Sequence, residues 1–235
     1  MNRFLYVIFA CAALLTACIS LSGCGKEKST VTGVSMKAQD YTNGSIYELP
    51  CFIGEGPAVE QLNEAIDQQL FYYIQGWEAM QSDSPWWYEV RSYPICGQRY
   101  KQVVITAIEL PNYGTDGDVY SFCYDSQTGA ILTLDDALAQ TGVSRETVQS
   151  MITYHIGDHL YEGDSVTFVS CEAFAFAGNE LCIVARALIE NDLSDGRDEL
   201  FVYFVGQDAI YSYDHGDLFP AGLCDQLEPP LSYAD

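Results

Sequence analysis

The sequence predicts an α+β fold, in which a mainly antiparallel sheet packs against one long amphipathic helix and a helix pair in the C-terminal half. Three observations favour this class. Segments with strand character follow one another in pairs, helical spacing of apolar residues occurs in few places, and strands do not alternate regularly with helices. Hydrophobic residues make up 49% of the 235 residues, which is enough for a sizeable core.

The first predicted elements are two strands, over 31–38 and 45–53, followed by the long helix. A Gly-Pro pair at 56–57 marks the start of this helix, because proline in the first turn lacks an N–H that would be unpaired anyway. Apolar residues then recur at three- and four-residue steps and form one stripe: Val59, Leu62, Ile66, Leu70, Tyr73 and Trp77. A Ser-Asp-Ser-Pro segment at 82–85 ends the pattern.

The remaining elements are two groups of four strands on either side of the helix pair. Runs of β-branched and aromatic residues predict the first group over 87–94, 100–110, 119–126 and 130–134. The helix pair is predicted over 135–140 and from the N-cap Ser144 to about Leu160. The same criteria predict the second group of strands over 171–177, 181–189, 199–205 and 209–213.

The first 24 residues have the layout of a secretory signal rather than of a folded element. One positive charge, Arg3, precedes an apolar run that begins at Phe4 and ends in Leu21-Ser22-Gly23-Cys24. These last four residues match a lipobox, the site at which a bacterial lipoprotein is cleaved and its cysteine lipidated. A second box ending at Cys18 would leave apolar residues beside the lipid, so Cys24 is favoured.

From this motif we expect a signal peptide over 1–23, a lipid on Cys24 and a polar tether over 24–40 that leads into the first strand. The lipid would then anchor the protein in the cell membrane, on its extracytoplasmic face. Two alternatives stay open. The apolar run of roughly 20 residues is long enough to remain as an uncleaved membrane anchor, or the chain is secreted without a lipid.

The charge of the chain limits its partners. Removing Arg3 with the signal leaves 9 basic residues against 33 acidic ones, a formal charge of −24. Such a surface repels nucleic acid and attracts cationic partners, so no nucleic-acid partner is predicted. The residues after the tether suit one domain over 41–220, with a possible subdivision near 115–135 and a tail over 221–235.

Six cysteines lie beyond the signal and the lipobox, and an even number in an exported protein suggests disulfides. No Cys-x-x-Cys pair occurs, which argues against a zinc ribbon or a thioredoxin-type site. Cys171 and Cys182 flank a predicted hairpin and are the pair we favour for a disulfide. The alternative is that all six are free thiols that pack as small apolar residues.

The strongest catalytic candidate is a His-Ile-Gly-Asp-His segment at 155–159. His155 and His159 are weak zinc candidates, because an i, i+4 pair on a helix faces one way. Against zinc, Asp158 is shorter than the glutamate of known zinc proteases, and Gly157 weakens the helix. No nucleophile elbow, phosphate loop or dinucleotide fingerprint occurs, so no cofactor is predicted. An envelope hydrolase with an unrecognised carboxylate or metal site remains the alternative.

An aromatic cluster is the candidate ligand surface. Trp86, Trp87 and Tyr88 are adjacent, and three neighbouring side chains on a strand cannot all face one core. They are therefore interpreted either as an exposed platform for sugar or protein, or as packing against a neighbouring helix. The acidic segment over 192–199 could suggest calcium, but its glycine falls one position early for an EF-hand, which favours a solvated loop.

Two motifs carry a resemblance to a known family. The helix segment Leu62-Asn63-Glu64-Ala65-Ile66 and the segment from Asp125 to Asp136, with its Asp-x-x-Thr-Gly turn, resemble the DUF4163/DUF3298 module pair. That family occurs in extracellular parts of bacterial envelope proteins, including a lysozyme-binding anti-sigma factor and a peptidoglycan deacetylase. The resemblance implies a non-catalytic binding or sensing module for an envelope ligand, either a cationic protein such as lysozyme or a cell-wall glycan.

Two acidic residues of the second motif admit two interpretations. Asp125 and Asp135 could be ligands of a metal or substrate. A structural use is favoured, because the Thr128-Gly129 turn and the start of the following helix need residues of these types. Either Thr133 or Asp135 is expected to cap that helix.

Overall fold

The computed structural model describes residues 29–41, 46–80, 87–110, 117–191, 194–212, 218–220 and 222–224. The predicted signal peptide and Cys24 lie outside these residues. The strands are β1 (Thr30–Asp40), β2 (Tyr47–Glu55), β3 (Trp87–Pro94), β4 (Tyr100–Leu110), β5 (Gly117–Asp125), β6 (Ala130–Leu132), β7 (Asp164–Ala177), β8 (Glu180–Asn191), β9 (Ser194–Phe204) and β10 (Ala209–Ser212). The helices are α1 (Pro57–Gln69), α2 (Phe71–Met80), α3 (Leu134–Thr141) and α4 (Arg145–Ile156).

The α+β class is confirmed, and the strands form two sheets rather than one. The first six strands form one sheet in sequential order, and the last four form a second sheet in the order β10-β9-β8-β7. Neighbouring strands are antiparallel except β2 and β3, which pair in parallel at Tyr47 and Val90. Strand β1 begins at Thr30, so it occupies most of the segment that was predicted as a tether.

The apolar stripe predicted for one long helix is divided between α1 and α2. The two helices are separated at Leu70, which is fully buried and whose N–H bonds to the carbonyl of Ile66. Residues 71–74 are aromatic or β-branched, and such residues have lower helix propensity than those of α1. Among the described residues, no helix has both the length and the apolar character needed to span a bilayer.

Three clusters of buried side chains show how the layers pack. One joins α1 and α2 to β4 through Val103, Ile105 and Ala107. A second lies between the two sheets and contains Val104 of β4. A third joins α3 and α4 to the four-stranded sheet and to Tyr100, Cys123 and Leu132 of the six-stranded sheet. Because successive strand residues point to opposite faces, the alternation along β4 directs Val103 and Ile105 to one cluster and Val104 to another.

A buried amide connects the two sheets. The Gln102 side chain is 1% exposed, and its amide nitrogen donates to the carbonyl of Phe176 at 2.5 Å. The Phe176 N–H in turn donates to the Gln102 amide oxygen at 2.9 Å. Nearby, the Phe174 N–H donates to the Ser121 hydroxyl at 3.2 Å. Strand β7 is the edge of its sheet, so these side chains satisfy backbone groups that no neighbouring strand reaches.

The same arrangement occurs on the other side of the molecule. Asn63 on α1 accepts from the Phe52 N–H at 2.7 Å and donates to the Phe52 carbonyl at 3.0 Å. Phe52 lies on β2, beyond its single pairing with β3. A side-chain amide therefore takes the place of a neighbouring strand at two separate points, and it fixes α1 on β2.

We expect replacement of Gln102 by leucine to destabilise the fold strongly. The change would leave the N–H and the carbonyl of Phe176 buried without partners, at a cost of about 2–4 kcal/mol. Urea denaturation measures this loss against the parent chain. Gln68→Leu on the exposed face of α1 is the matched control, and it should change the free energy of unfolding by less than about 0.5 kcal/mol. Equal losses in the two variants would show that the Gln102 amide contributes nothing.

Candidate functional site

The turn Val205–Asp208 connects β9 to β10. Three open depressions border this turn. One of about 560 Å³ is lined by Thr141, Val143, Asn179, Glu180, Leu181, Val205, Gly206 and Gln207. Another, of about 380 Å³, is lined by Ile95, Cys96, Gly97, Ala177, Gly178, Glu180, Phe204, Gln207 and Leu223. The third, also of about 380 Å³ and called here the Asp208 groove, is lined by Thr147, Ser150, Met151, Tyr154, His155 and Asp208.

The turn is held in place by side-chain hydrogen bonds. The Glu180 carboxylate accepts from the Gln207 N–H at 2.9 Å and from the Gln207 side-chain amide at 2.6 Å. Asp208 adopts a positive φ of 51°, in the left-handed region that aspartate and asparagine tolerate better than most residues. The turn from β7 to β8 is thus tied to the turn from β9 to β10, and Asp208 takes a defined position.

Asp208 is the centre of a small hydrogen-bonded network in its groove. Its Oδ1 lies 2.8 Å from Nε2 of His155 on α4 and accepts the Tyr203 hydroxyl at 2.7 Å. These bonds, to Tyr203 first and then to His155, lower the pKa of Asp208. Burial, together with the hydrogen bond to Asp208, raises the pKa of Tyr203. The groove therefore contains an ionised carboxylate at neutral pH, and the Asp208 side chain is 58% exposed.

The Asp208 groove pairs a histidine with a carboxylate. A histidine held by a carboxylate serves as a catalytic base when a nucleophile hydrogen-bonds to it. Here the Ser150 hydroxyl donates to the Glu146 carbonyl of its own helix at 2.9 Å. Among the described residues, no hydroxyl of serine or threonine and no thiol hydrogen-bonds to the His155 ring. The network places a negative charge in a groove that the exposed Tyr154 also lines.

The predicted histidine pair does not lie on one α-helix. Helix α4 ends at Ile156, and a 3₁₀ turn takes in Gly157–His159, so the prediction of an α-helix to about 160 is wrong. The change from α-helical to 3₁₀ geometry occurs at Gly157, and glycine has a low helix propensity. The side chain of His159 lies outside the described residues. Over the described part of the chain, no group of three or more His, Cys, Asp or Glu side chains could hold a metal ion.

The predicted aromatic platform is only partly described. Trp86 lies outside the described residues, and Trp87 and Tyr88 begin β3, where their backbones pair with Leu110 and Glu109. The side chains of Trp87 and Tyr88 are likewise outside the description. Whether these aromatic residues form a ligand surface stays a prediction.

The structure does not bring Cys171 and Cys182 together. In the hairpin of β7 and β8, Cys171 lies opposite Ala185 and Cys182 lies opposite Ala175. Three positions along a strand separate them by about 10 Å, beyond the Cα separation of a disulfide, which is at most about 7 Å. They also face different clusters, on opposite faces of the sheet. Neither forms a disulfide, and burial raises the pKa of Cys171 to about 11 and that of Cys182 to about 12.

Asp125 has a structural environment. Its side chain is fully buried and accepts from the Arg99 guanidinium at 3.0 and 2.7 Å and from the Gln127 N–H at 2.9 Å. The hydrogen bonds from Arg99 are the main reason why the pKa of Asp125 lies below its usual range. Asp135 is exposed and paired with Arg145. The cap of α3 is Thr133, which exchanges hydrogen bonds with Asp136 in a capping box.

We expect Asp125→Asn to destabilise the fold at neutral pH by about 1.5–3 kcal/mol, the value of hydrogen bonds to a charged group. The stabilisation is present above the ordinary aspartate pKa of about 3.9. It is lost as the pH falls through the lowered pKa of the folded state. The difference between parent and variant, measured by chemical denaturation, should therefore be largest at pH 5–8 and shrink below about pH 4.

Asp135→Asn is the control for this experiment, because Asp135 is 79% exposed. Its pair with Arg145 should contribute less than about 1 kcal/mol, as exposed ion pairs do. A loss in Asp125→Asn that is equally large at pH 3 and pH 7 would contradict the role assigned to the ionised carboxylate.

Comparison with known proteins leaves the resemblance of the two motifs untested. No model of a known protein family matches the chain, and a search of curated proteins finds no match. The resemblance to the DUF4163/DUF3298 modules therefore stays a prediction. It rests on the Asn63 helix and on the turn that follows Asp125. Both residues make the backbone contacts described above, so their recurrence in a motif has a structural reason.

Proposed function

We propose that the chain is an extracytoplasmic lipoprotein, anchored in the cell membrane by a lipid on Cys24, that acts as a non-catalytic binding or sensing module. The envelope ligand is a cationic protein, such as lysozyme, or a cell-wall glycan. The lipobox and the apolar run before it support the anchor. The resemblance to modules of envelope proteins supports the class of ligand.

The observation that carries the binding function is the use of the basic side chains. Each lysine and arginine in the described residues is engaged within the chain. Six of them pair with carboxylates: Lys37, Arg91, Arg99, Arg145, Arg186 and Arg197. The seventh, Lys101, donates to the Gly97 carbonyl. With a formal charge of −23 for the whole chain, many carboxylates have no internal cation to pair with.

This imbalance supports a cationic protein more directly than a glycan. A surface of one charge sign attracts a partner of the opposite sign over several ångströms and raises its rate of association. A neutral sugar gains nothing from such a field. The candidate site agrees with this choice, because carboxylates line all three depressions around the β9–β10 turn and no lysine or arginine does.

The anchor is tested by metabolic labelling with radioactive palmitate in a bacterium that expresses the full chain. We expect the parent chain to incorporate the label and Cys24→Ser to lose it, because the lipid is attached to this sulfur. Cys18→Ser is the matched control and should be labelled like the parent. Loss of label in Cys18→Ser alone would move the site to the first box. An unlabelled parent chain would rule out the lipid anchor.

Binding is tested with purified lysozyme by titration calorimetry. We expect measurable affinity at about 0.01 M salt and a loss of at least about tenfold by 0.15 M, because the screening length falls from about 30 Å to about 8 Å. Lysozyme with acetylated lysines is the control and should bind much more weakly. No measurable interaction at low salt would contradict lysozyme as the ligand. Salt-insensitive binding of peptidoglycan fragments would favour the glycan instead.

A further inference from the structure

We propose that the Asp208 groove receives a lysine or arginine side chain of the cationic partner, an inference that rests on the proposed function. The basic group would lie between the Asp208 carboxylate and the Tyr154 ring. The overall charge alone does not specify where a cationic partner binds. This proposal gives the partner a place on the surface and a chemical form of contact.

The first argument is the state of the Asp208 carboxylate. Both of its hydrogen bonds, from Tyr203 and with His155, use Oδ1, so Oδ2 accepts no hydrogen bond from the described residues. No lysine or arginine lines the groove. Two carboxylates with buried side chains differ in this respect. Asp125 is paired with Arg99 and Asp164 with Arg197 at 2.7 Å, so their charges are already matched.

The second argument is the aromatic ring of Tyr154, which lines the same groove as this carboxylate. Tyr154 is 77% exposed, and its ring meets the His155 ring edge-on, with centroids 5.5 Å apart and planes at 77°. An exposed tyrosine face attracts a lysine or arginine cation, and a neighbouring carboxylate adds a direct ion pair. Met151 also lines the groove and offers apolar contact to the methylene stem of such a side chain.

The third argument is that the groove is formed before any partner binds. Helix α4 is fixed on the sheet by its buried residues Val148, Ile152 and Ile156. Asp208 is held by the fully buried Tyr203 and by the turn that Glu180 ties down. A partner side chain therefore meets groups already in place, which lowers the entropic cost of binding.

The direct test uses an acetylated, amidated tripeptide, Gly-Arg-Gly, added to isotope-labelled protein and followed by NMR. We expect shifts concentrated at Tyr154, His155 and Asp208, with Gly-Gln-Gly as the uncharged control. In Asp208→Asn these shifts should need about tenfold more peptide. Asparagine tolerates the positive φ and can still accept the Tyr203 hydroxyl, so this variant should fold. Shifts that are absent, or equally strong elsewhere, would overturn the inference whether or not lysozyme binds.

A second measurement separates the groove from the general charge. With lysozyme as the probe, Asp208→Asn should bind about tenfold more weakly and Tyr154→Leu about three- to tenfold more weakly. The matched controls are Glu64→Gln on α1 and Tyr161→Leu, whose tyrosine is 76% exposed and lies outside the groove. If the parent binds and all four variants lose affinity equally, the groove inference is wrong while the proposed function stands. If the parent does not bind, lysozyme fails as the ligand.

Discussion

The hydrogen bonds between the Gln102 amide and the Phe176 backbone are the constraint on which the arrangement of the molecule depends. A strand at the edge of a sheet has N–H and carbonyl groups that need partners, and burial makes leaving them unpaired costly. Gln102 supplies both partners from the other sheet, at 2.5 and 2.9 Å. Because β7 is fixed in this way, β8 and β9 follow by antiparallel pairing, and the β9–β10 turn is positioned with the Asp208 carboxylate at the surface. The position of the candidate site therefore depends on one buried amide.

The distribution of charge is likewise determined by the partners that buried groups need. Arginines near the sheets are used to match carboxylates that packing has removed from water, as Arg99 does for Asp125 and Arg197 for Asp164. An unmatched buried charge would cost several kcal/mol, so these pairs take precedence over any surface role. With so few basic residues in the chain, this pairing leaves mainly acidic side chains on the surface. The negative surface potential therefore results from the pairing of arginines with buried carboxylates as much as from binding to a partner.

Several parts of the fold could be predicted from the sequence because their signals are local. The bounds of β3 and β4 follow from runs of aromatic and β-branched residues, and the start of α4 follows from Ser144 as an N-cap. Strand β7 begins at Asp164 rather than near Cys171, because register shifts at 166/168 and 171/173 interrupt the alternation. The register of the two cysteines could have been predicted from the two-residue turn at 178–179. This turn places Cys182 opposite Ala175 and not opposite Cys171. The site could not be predicted as a whole, because His155 and Asp208 are 53 positions apart and only the fold brings them together.

If Cys24 carries the proposed lipid, the early start of β1 limits how far the domain can stand from the membrane. With a lipid on Cys24, six residue steps lead to Thr30, and a fully extended chain covers at most about 22 Å over that span. Ser29 is already fixed, since its hydroxyl accepts the Ala58 N–H at the start of α1. Such a tether would keep the domain close to the bilayer, at a distance that can exceed the screening length of about 8 Å at physiological salt. Over an anionic bilayer, electrostatic repulsion would hold the acidic domain at the full length of this tether. The domain would then face cations that diffuse toward the membrane.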